Sequence, residues 1–447
     1  MSIIGRIKRA VPVLVFALSL PFTASAQGLI RDAEIERILH GFADPLFAAA
    51  GLTPSEVKLY IVQSDEVQAE VMGGQNMFVY TGLIMKSKTP EELKGVIAHE
   101  TGHIALGHNI TRQTAVGAGN TTSLITMGLG ALALFAGAPD AALALFGSAP
   151  QFGMLTFFKF TRAEEAAADL YAIGLLEKTG QSADGFASFM EGFRSQELMT
   201  EARRDPYFRG HPIWSDRIGA VRKRAHEISS EARQQTPEEL EGLAMMKAKL
   251  VGFIGPPNRV LSRYPETDQS LAAKYARAIA AYKAVDIKAA LSLTQQLIDA
   301  EPTNPYFEEL KGQILFESGR ALESVAPHRK SVELAPQHAL LKINLARSLT
   351  ATDKEDAIKE AEGLLIDALA LEQDNPFAWT YLADVYAKQG RIGDADLATA
   401  EAAYQVGNMS RAHIFARRAR DKLTLNVPNG QRADDIIALS DPRNRPR

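Results

Sequence analysis

No cysteine occurs among the 447 residues. That excludes a disulfide framework, a catalytic thiol, an iron–sulfur cluster and any cysteine-ligated zinc site. Excess basic charge is also missing: 49 Lys and Arg face 53 Asp and Glu, a formal net charge of -4, so no general basic field is available to hold nucleic acid. Nor is there an apolar run of the ~20 residues that a membrane-spanning helix requires. With 46% hydrophobic and 23% charged residues the composition is that of a folded protein, and the length suggests more than one domain. Any metal would have to be held by His, Asp and Glu.

Residues 1–26 read as a signal peptide. Arg6, Lys8 and Arg9 form a positive leader, Val11 to Phe22 a short apolar stretch, and Ala24-Ser25-Ala26 a small-x-small cleavage site before Gln27. Cleavage there removes three positive charges and takes the formal charge from -4 to -7. The product is expected in an extracytoplasmic space, where the lack of thiols is an advantage.

Three regions follow. Residues 27–235 mix strand-like and helix-like segments. Leu59–Val62 and Met77–Tyr80 are β-rich, with turn chemistry at Gly73-Gly74-Gln75-Asn76 between them. A helix is expected after Lys88, with Thr89 as N-cap, Pro90 at the first position and Glu92 completing a capping box. A second runs from Thr161, with Glu164 at N3, to Gly180. Between Arg112 and Lys159 the only charged residue is Asp140. Segment 113–158 reads as buried helices or an apolar lid, as a membrane-surface hairpin, or as a transmembrane pair.

From about residue 236 the pattern is helical only. Pro302 and Pro336 punctuate it 34 residues apart, and Gln373 follows 37 residues later, while Gly319, Gly390 and Gly407 fall at expected tight turns. A 34-residue helix–turn–helix period is the tetratricopeptide signature, whose stacked pairs present a concave binding face. The alternative is an irregular helical bundle. Residues 236–421 are assigned to this array, and 422–447 to a flexible polar tail.

The chemistry lies in His99-Glu100-Thr101-Gly102-His103. At 3.6 residues per turn, His99 and His103 project from one helix face a single turn apart, so both imidazoles can reach one zinc ion, with Glu100 beside them as general base. A catalytic zinc needs a third protein ligand and an open position. Leu106 and Asn109 stand where a metzincin would carry Gly and His, which leaves a carboxylate on the second helix. Glu164 has a capping task, so Glu165 takes the ligand role, and Asp169, four residues on, can hold the N–H of a ligating histidine.

Arg162-Ala163-Glu164-Glu165-Ala166-Ala167-Ala168-Asp169, with Glu165 62 residues after His103, resembles the E-x-x-A-D motif of the gluzincin family that contains the HtpX heat-shock protease and the CaaX prenyl endopeptidase. The resemblance makes Glu165 the zinc ligand; Ala167 departs from the usual acidic residue there. His211-Pro212 followed by Arg217 matches a further family mark, and Gly73 to Gly82 resembles the family's edge strand before the active-site helix. The resemblance covers roughly residues 29–235. It implies an α+β zincin-like metallopeptidase domain, mostly helical with a small sheet, followed by an all-α tetratricopeptide superhelix.

His211 has three readings: a surface histidine, a donor to the oxyanion of the tetrahedral intermediate, or, as the resemblance implies, an occupant of the fourth zinc position in a reversible self-inhibited state. Arg217 either holds a substrate carbonyl, orders the loop or forms a salt bridge. His108 lies about 140° from His103 on a helical wheel and receives no ligand role; His40, His226, His328, His338 and His413 are ordinary. Substrate is expected to lie extended along the strand Met77–Tyr80.

Signal peptide, peptidase domain and repeats together resemble periplasmic family members that serve outer-membrane β-barrel quality control. The implied activity is a periplasmic zinc metalloendopeptidase for unfolded polypeptides, its repeats docking substrate or the β-barrel assembly machinery. Peripheral membrane contact through 113–158 is part of that expectation; nucleic acid is not. The competing reading is a chaperone or assembly scaffold with a largely silent zinc site.

Overall fold

The computed structural model describes residues 28–108, 162–199, 203–213, 215–228, 235–423 and 428–441. The expected signal peptide and segment 113–158 lie outside them. Among the described residues no helix is long and apolar enough to cross a membrane.

The N-terminal region is built on a four-stranded sheet of β1 (Leu29–Ile30), β2 (Lys58–Val62), β3 (Ala69–Met72) and β4 (Asn76–Tyr80), in the order β1-β2-β4-β3. β4 runs parallel to β2 and antiparallel to β3. This corrects two expectations. The turn at Gly73–Gln75 closes a β3–β4 hairpin rather than joining the two β-rich runs. Met77–Tyr80 is an interior strand, so the marginal strand on that side is β3. One face of the sheet turns Ile61, Met77, Val79, Ala69 and Val71 into the main core; the other gathers Val62, Phe78 and Tyr80.

Helix α1 (Ala33–Ala49) crosses the core face, capped by Asp32, whose carboxylate accepts from the amides of Glu34 and Ile35. After α2 (Thr81–Lys86), α3 (Pro90–Ala105) carries the His-Glu-x-x-His segment. Thr89 caps it as expected, accepting from the Glu92 amide at 3.3 Å. The Glu92 carboxylate reaches back one residue further than a capping box requires, to the Lys88 amide at 2.6 Å. Helices α4 (Arg162–Lys178) and α5 (Asp184–Glu191) pack on α3, and α6 (Pro206–Gly210) and α7 (Ser215–Ile228) close the domain. Two glycines permit this. A Cβ on Gly95 would stand 2.5 Å from the Phe186 Cβ of α5, and one on Gly102 3.1 Å from the Ala168 carbonyl oxygen of α4.

Among the described residues after 236 every element is a helix: α8 (Pro237–Ile254), α9 (Pro257–Arg263), α10 (Leu271–Lys283), α11 (Ile287–Ala300), α12 (Pro305–Glu317), α13 (Ala321–Leu334), α14 (Ala339–Thr350), α15 (Glu355–Leu371), α16 (Pro376–Lys388), α17 (Ile392–Gln405), α18 (Met409–Arg420) and α19 (Pro428–Leu439). Asn304 and Asn375 cap α12 and α16 ahead of Pro305 and Pro376, which explains the Asn-Pro punctuation. The step of 37 residues instead of 34 has a simple source: α15 is 17 residues long and α13 only 14. The expected flexible tail is corrected in part, because α19 lies within it. Ala433 and Ile436, three apart, are buried against Leu397, Ala400 and Ala416.

The array and the N-terminal region share a boundary. Ala33 is buried with Tyr306, Ala335 and Leu341. Arg31 bonds Glu372 at 2.8 Å, and Lys58 lies 3.3 Å from Asp374. Lys249 of α8, 5% exposed, sits between Asp32 (2.8 Å), Glu34 (3.2 Å) and Glu309 (3.9 Å).

Candidate active site

Helix α3 places His99 and His103 one turn apart, and Gly102 lets α4 approach closely enough to bring Glu165 against both. The Nε2 atoms of His99 and His103 are 3.1 Å apart. Glu165 lies 3.5 Å from the first and 3.4 Å from the second. The His211 Nδ1 completes the cluster, 3.3 Å from His99 Nε2 and 3.1 Å from Glu165. All four side chains are buried, and one donor atom from each lies within 4.8 Å of the others. Thus the structure gathers His99, His103, Glu165 and His211 at one point; Glu164 stays at the surface side of α4.

Glu100 is fully buried beside them, its Oε1 3.5 Å from His211 Nε2, and neither carboxylate oxygen has a hydrogen bond among the described residues. Burial pushes its carboxyl up to about 8. Glu165 goes the other way: burial raises it, but the charge of His211 and hydrogen bonds from His103, His211 and His99 outweigh that and hold it well below the carboxylate range. Burial drives His103 down to about 3. For His99 burial is outweighed by Asp169 and Glu165, which raise it.

Asp169 stands where α4 periodicity put it, 3.0 Å from His99 Nδ1. Arg217 from α7 grips the same carboxylate with two bonds of 2.7 and 2.8 Å. Its third nitrogen lies 2.9 Å from Glu165 and donates to the Pro212 carbonyl at 2.6 Å. The guanidinium is therefore engaged with Asp169, Glu165 and the Pro212 carbonyl.

Three nearby residues escaped the sequence. Tyr207 stacks on the His211 ring at 4.9 Å and 24° and fixes its plane; a helix of only five residues carries no periodic signal. His108 meets His103 Nδ1 at 3.0 Å. His108 takes no part in the donor cluster, but α3 ends at Ala105, and Gly107, at φ +70°, turns the chain back so that its ring reaches His103. Glu70 of β3 accepts from the Tyr80 hydroxyl at 2.6 Å, and the charge of His211 reaches it.

Imidazole nitrogens and a carboxylate converging in a buried space, with no proton for every facing lone pair, fit a cation. Three nitrogens and one oxygen are borderline-soft donors of the kind that suit zinc rather than magnesium or calcium.

Residues 29–225 match the family described as Peptidase family M48. The chain is 24% identical over 396 residues to the Beta-barrel assembly-enhancing protease of Yersinia pestis, covering 86% of this chain and 79% of that protein. Against the protein of the same name in Escherichia coli (strain K12) it is 22% identical over 416 residues, covering 87% and 83%. A shorter match, 32% over 171 residues, joins it to Metalloprotease LoiP of Escherichia coli (strain K12), covering 38% of this chain and 63% of that one.

Proposed function

We propose that the chain, whose residues 29–225 match Peptidase family M48 and are followed by a tetratricopeptide-like array, is a periplasmic zinc endopeptidase that degrades misfolded or stalled outer-membrane proteins. The observation that carries this reading is the four-donor cluster with a desolvated, unbonded Glu100 beside it. The names of the relatives support the outer-membrane assignment, and the leader-like residues 1–26 support the compartment.

In this reading His99, His103 and Glu165 hold the zinc ion. When bound, the ion supplies Lewis acidity, polarising the scissile carbonyl and acidifying water. Asp169 accepts the His99 Nδ1 proton and so keeps Nε2 as a lone-pair donor, while Arg217 locks Asp169 and Glu165 in place. Glu100 accepts a proton from the attacking water and returns it to the departing amine; burial among apolar helices gives it the basicity for the first step. The extended substrate lies along β3, the sheet margin nearest the site, and main-chain pairing there makes recognition indifferent to sequence.

His211 faces the cluster with Nδ1 and Glu100 with Nε2. That position supports the reading in which it fills the fourth place and restrains the enzyme until it swings away. Transition-state stabilisation by the same ring requires that swing first. The scaffold reading draws on this same feature, since a ring in the fourth place keeps the site silent.

The test uses the zinc-loaded chain from Gln27 onward and an unfolded outer-membrane β-barrel precursor. Cleavage should vanish in Glu100→Gln and rise in His211→Ala. If all three proteins bind the precursor and none cleaves it, the scaffold reading replaces this one.

A further inference from the structure

Glu70 is the one acidic side chain of β3, and the chemistry described above leaves it unused. β3 ends the strand order of the sheet and packs against α3. Ala69 and Val71 turn into the main core, which puts the alternate residues Glu70 and Met72 on the opposite face, with Phe78 and Tyr80 of β4. There Glu70 is half-buried and accepts from the Tyr80 hydroxyl at 2.6 Å. Its charge is felt by Glu100 and the charge of His211 is felt by Glu70, so this carboxylate stands close to the reacting centre.

It has no counter-ion of its own. The Tyr80 donor is an uncharged hydroxyl, no lysine or arginine forms an ion pair with Glu70 among the described residues, and neighbouring Glu66 adds charge of the same sign. The positive influence of His211 is shared with Glu100 and Glu165. A second, independent observation lies two residues earlier. Gln68, 9% exposed, holds a side-chain oxygen that is buried with no hydrogen-bond partner among the described residues. Its carboxamide acts on the Glu70 carboxylate as a donor, and residues 68 and 70, two apart, share a face of the strand. Carboxylate and amide oxygens both accept, so the group that satisfies them brings donors and positive charge. One carboxylate and one amide oxygen are too few for calcium or magnesium. An ammonium or guanidinium fits, and the apolar face of Met72, Phe78 and Tyr80 suits its aliphatic stem.

We propose that Glu70, with Gln68, selects substrates that carry lysine or arginine at the position lying opposite Glu70 on β3. The proposal rests on the reading that an extended substrate pairs with this strand. Main-chain pairing is indifferent to sequence, but the residue it sets across from Glu70 has its side chain on the same face, with Cβ atoms about 4.5–5.5 Å apart. A cation there closes a charge-assisted bond to Glu70 and meets the Gln68 oxygen. Because Glu100 and His211 lie near Glu70, the selected position is close to the scissile bond. A substrate side chain is favoured over the ammonium at a chain start because β3 continues on both sides of Glu70, from Ala69 to Met72, so pairing runs past it.

The test uses the zinc-loaded chain from Gln27 onward, alone and with His211→Ala. Substrates are quenched fluorogenic ten-residue peptides of glycine, alanine, serine and leucine, acetylated so that no chain-start ammonium is present. A single lysine, glutamine or glutamate is walked through the central positions. At one position kcat/KM should fall in the order lysine, glutamine, glutamate, with lysine about tenfold above glutamine. Glu70→Gln should bring the three together, Glu70→Asp should keep their order, and Glu70→Lys should reverse it. The readout is a ratio within each protein, which a general loss of activity or a lowered melting temperature does not produce. Equal rates for the three peptides at every position overturn the proposal, and so does a lysine preference that survives Glu70→Gln. A preference that appears only when the acetyl group is left off overturns the side-chain assignment. In parallel, fluorescence anisotropy compares the lysine and glutamine peptides, uncut, on the chain carrying Glu100→Gln. Tighter lysine binding that Glu70→Gln abolishes supports the proposal; equal binding overturns it. Lysine-selective binding without any cleavage sinks the peptidase reading and leaves the selectivity standing.

Discussion

Replacing Lys249 by Met should uncouple the helical array from the peptidase domain. The ammonium lies within 2.8 to 3.9 Å of Asp32, Glu34 and Glu309, and over the rings of Tyr275 and Tyr306 at 5.8 and 5.7 Å. Removing the cation leaves three carboxylates facing one another in a space with little water. Breaking a buried ion pair from one side costs about 3–5 kcal/mol, mostly the penalty of the charges left behind. At about 2 °C per kcal/mol for a large domain, the melting temperature should fall by about 6–10 °C at pH 8. The pH dependence is the sharper test. With Lys249 present, burial already holds Glu309 up at about 7, and it raises Glu34 as well. A carboxyl raised in the folded state contributes stability that is complete below its unfolded value and is lost as pH rises through the folded one. Without the lysine both groups move higher still, so the gap between native and variant should widen between pH 5 and pH 8. Adding Glu34→Gln and Glu309→Gln to Lys249→Met should recover most of the loss. Calorimetry of the three proteins at both pH values decides it: a shift below 2 °C, or one equal at pH 5 and pH 8, refutes the buried-charge account.

Asp169→Asn removes the negative charge behind the His99 Nδ1 proton and one of the two oxygens that Arg217 grips; zinc affinity measured by chelator competition should drop about 10–100-fold with the fold intact, and an unchanged affinity would remove Asp169 from the site. Gly95→Ala drives a methyl group to within 2.5 Å of the Phe186 side chain and 2.7 Å of its Cα, so α3 and α5 must part at a cost of about 1–3 kcal/mol in urea melts. Gly174→Ala, in open space on α4, is the control and should stabilise by about 0.5–1 kcal/mol.

Local rules were enough to locate α3, because its start is written three times, in Thr89, Pro90 and Glu92, and Glu165 rather than Glu164 is the residue of α4 that lies with the histidines. The repeat array was legible for a related reason: each Asn-Pro pair caps a helix where it stands. β3 was not legible, since Ala69-Glu70-Val71-Met72 has one β-branched residue and no alternation strong enough to separate it from a loop. Its pairing with β4 and its position at the sheet margin depend on contacts that no local pattern encodes. As a result the interior strand β4 was assigned the margin position. α19 was obscured by composition, because Pro428, Asn429, Gly430 and three charged residues, Arg432, Asp434 and Asp435, hide the two apolar contacts, Ala433 and Ile436, that hold it.

The site divides along the same line, and the division has a physical basis. Residues that do chemistry are constrained in type, so His99, Glu100, His103 and Glu165 stand out at helical spacing. Residues that orient them need only a shape or a charge, delivered from anywhere in the chain. Arg217 arrives from 48 positions beyond Asp169, and Lys249 from 217 beyond Asp32. Tyr207 fixes His211 with nothing more than a ring face. His108 reaches His103 only because the helix has ended and Gly107 turns the chain back, a geometry that helical spacing does not describe.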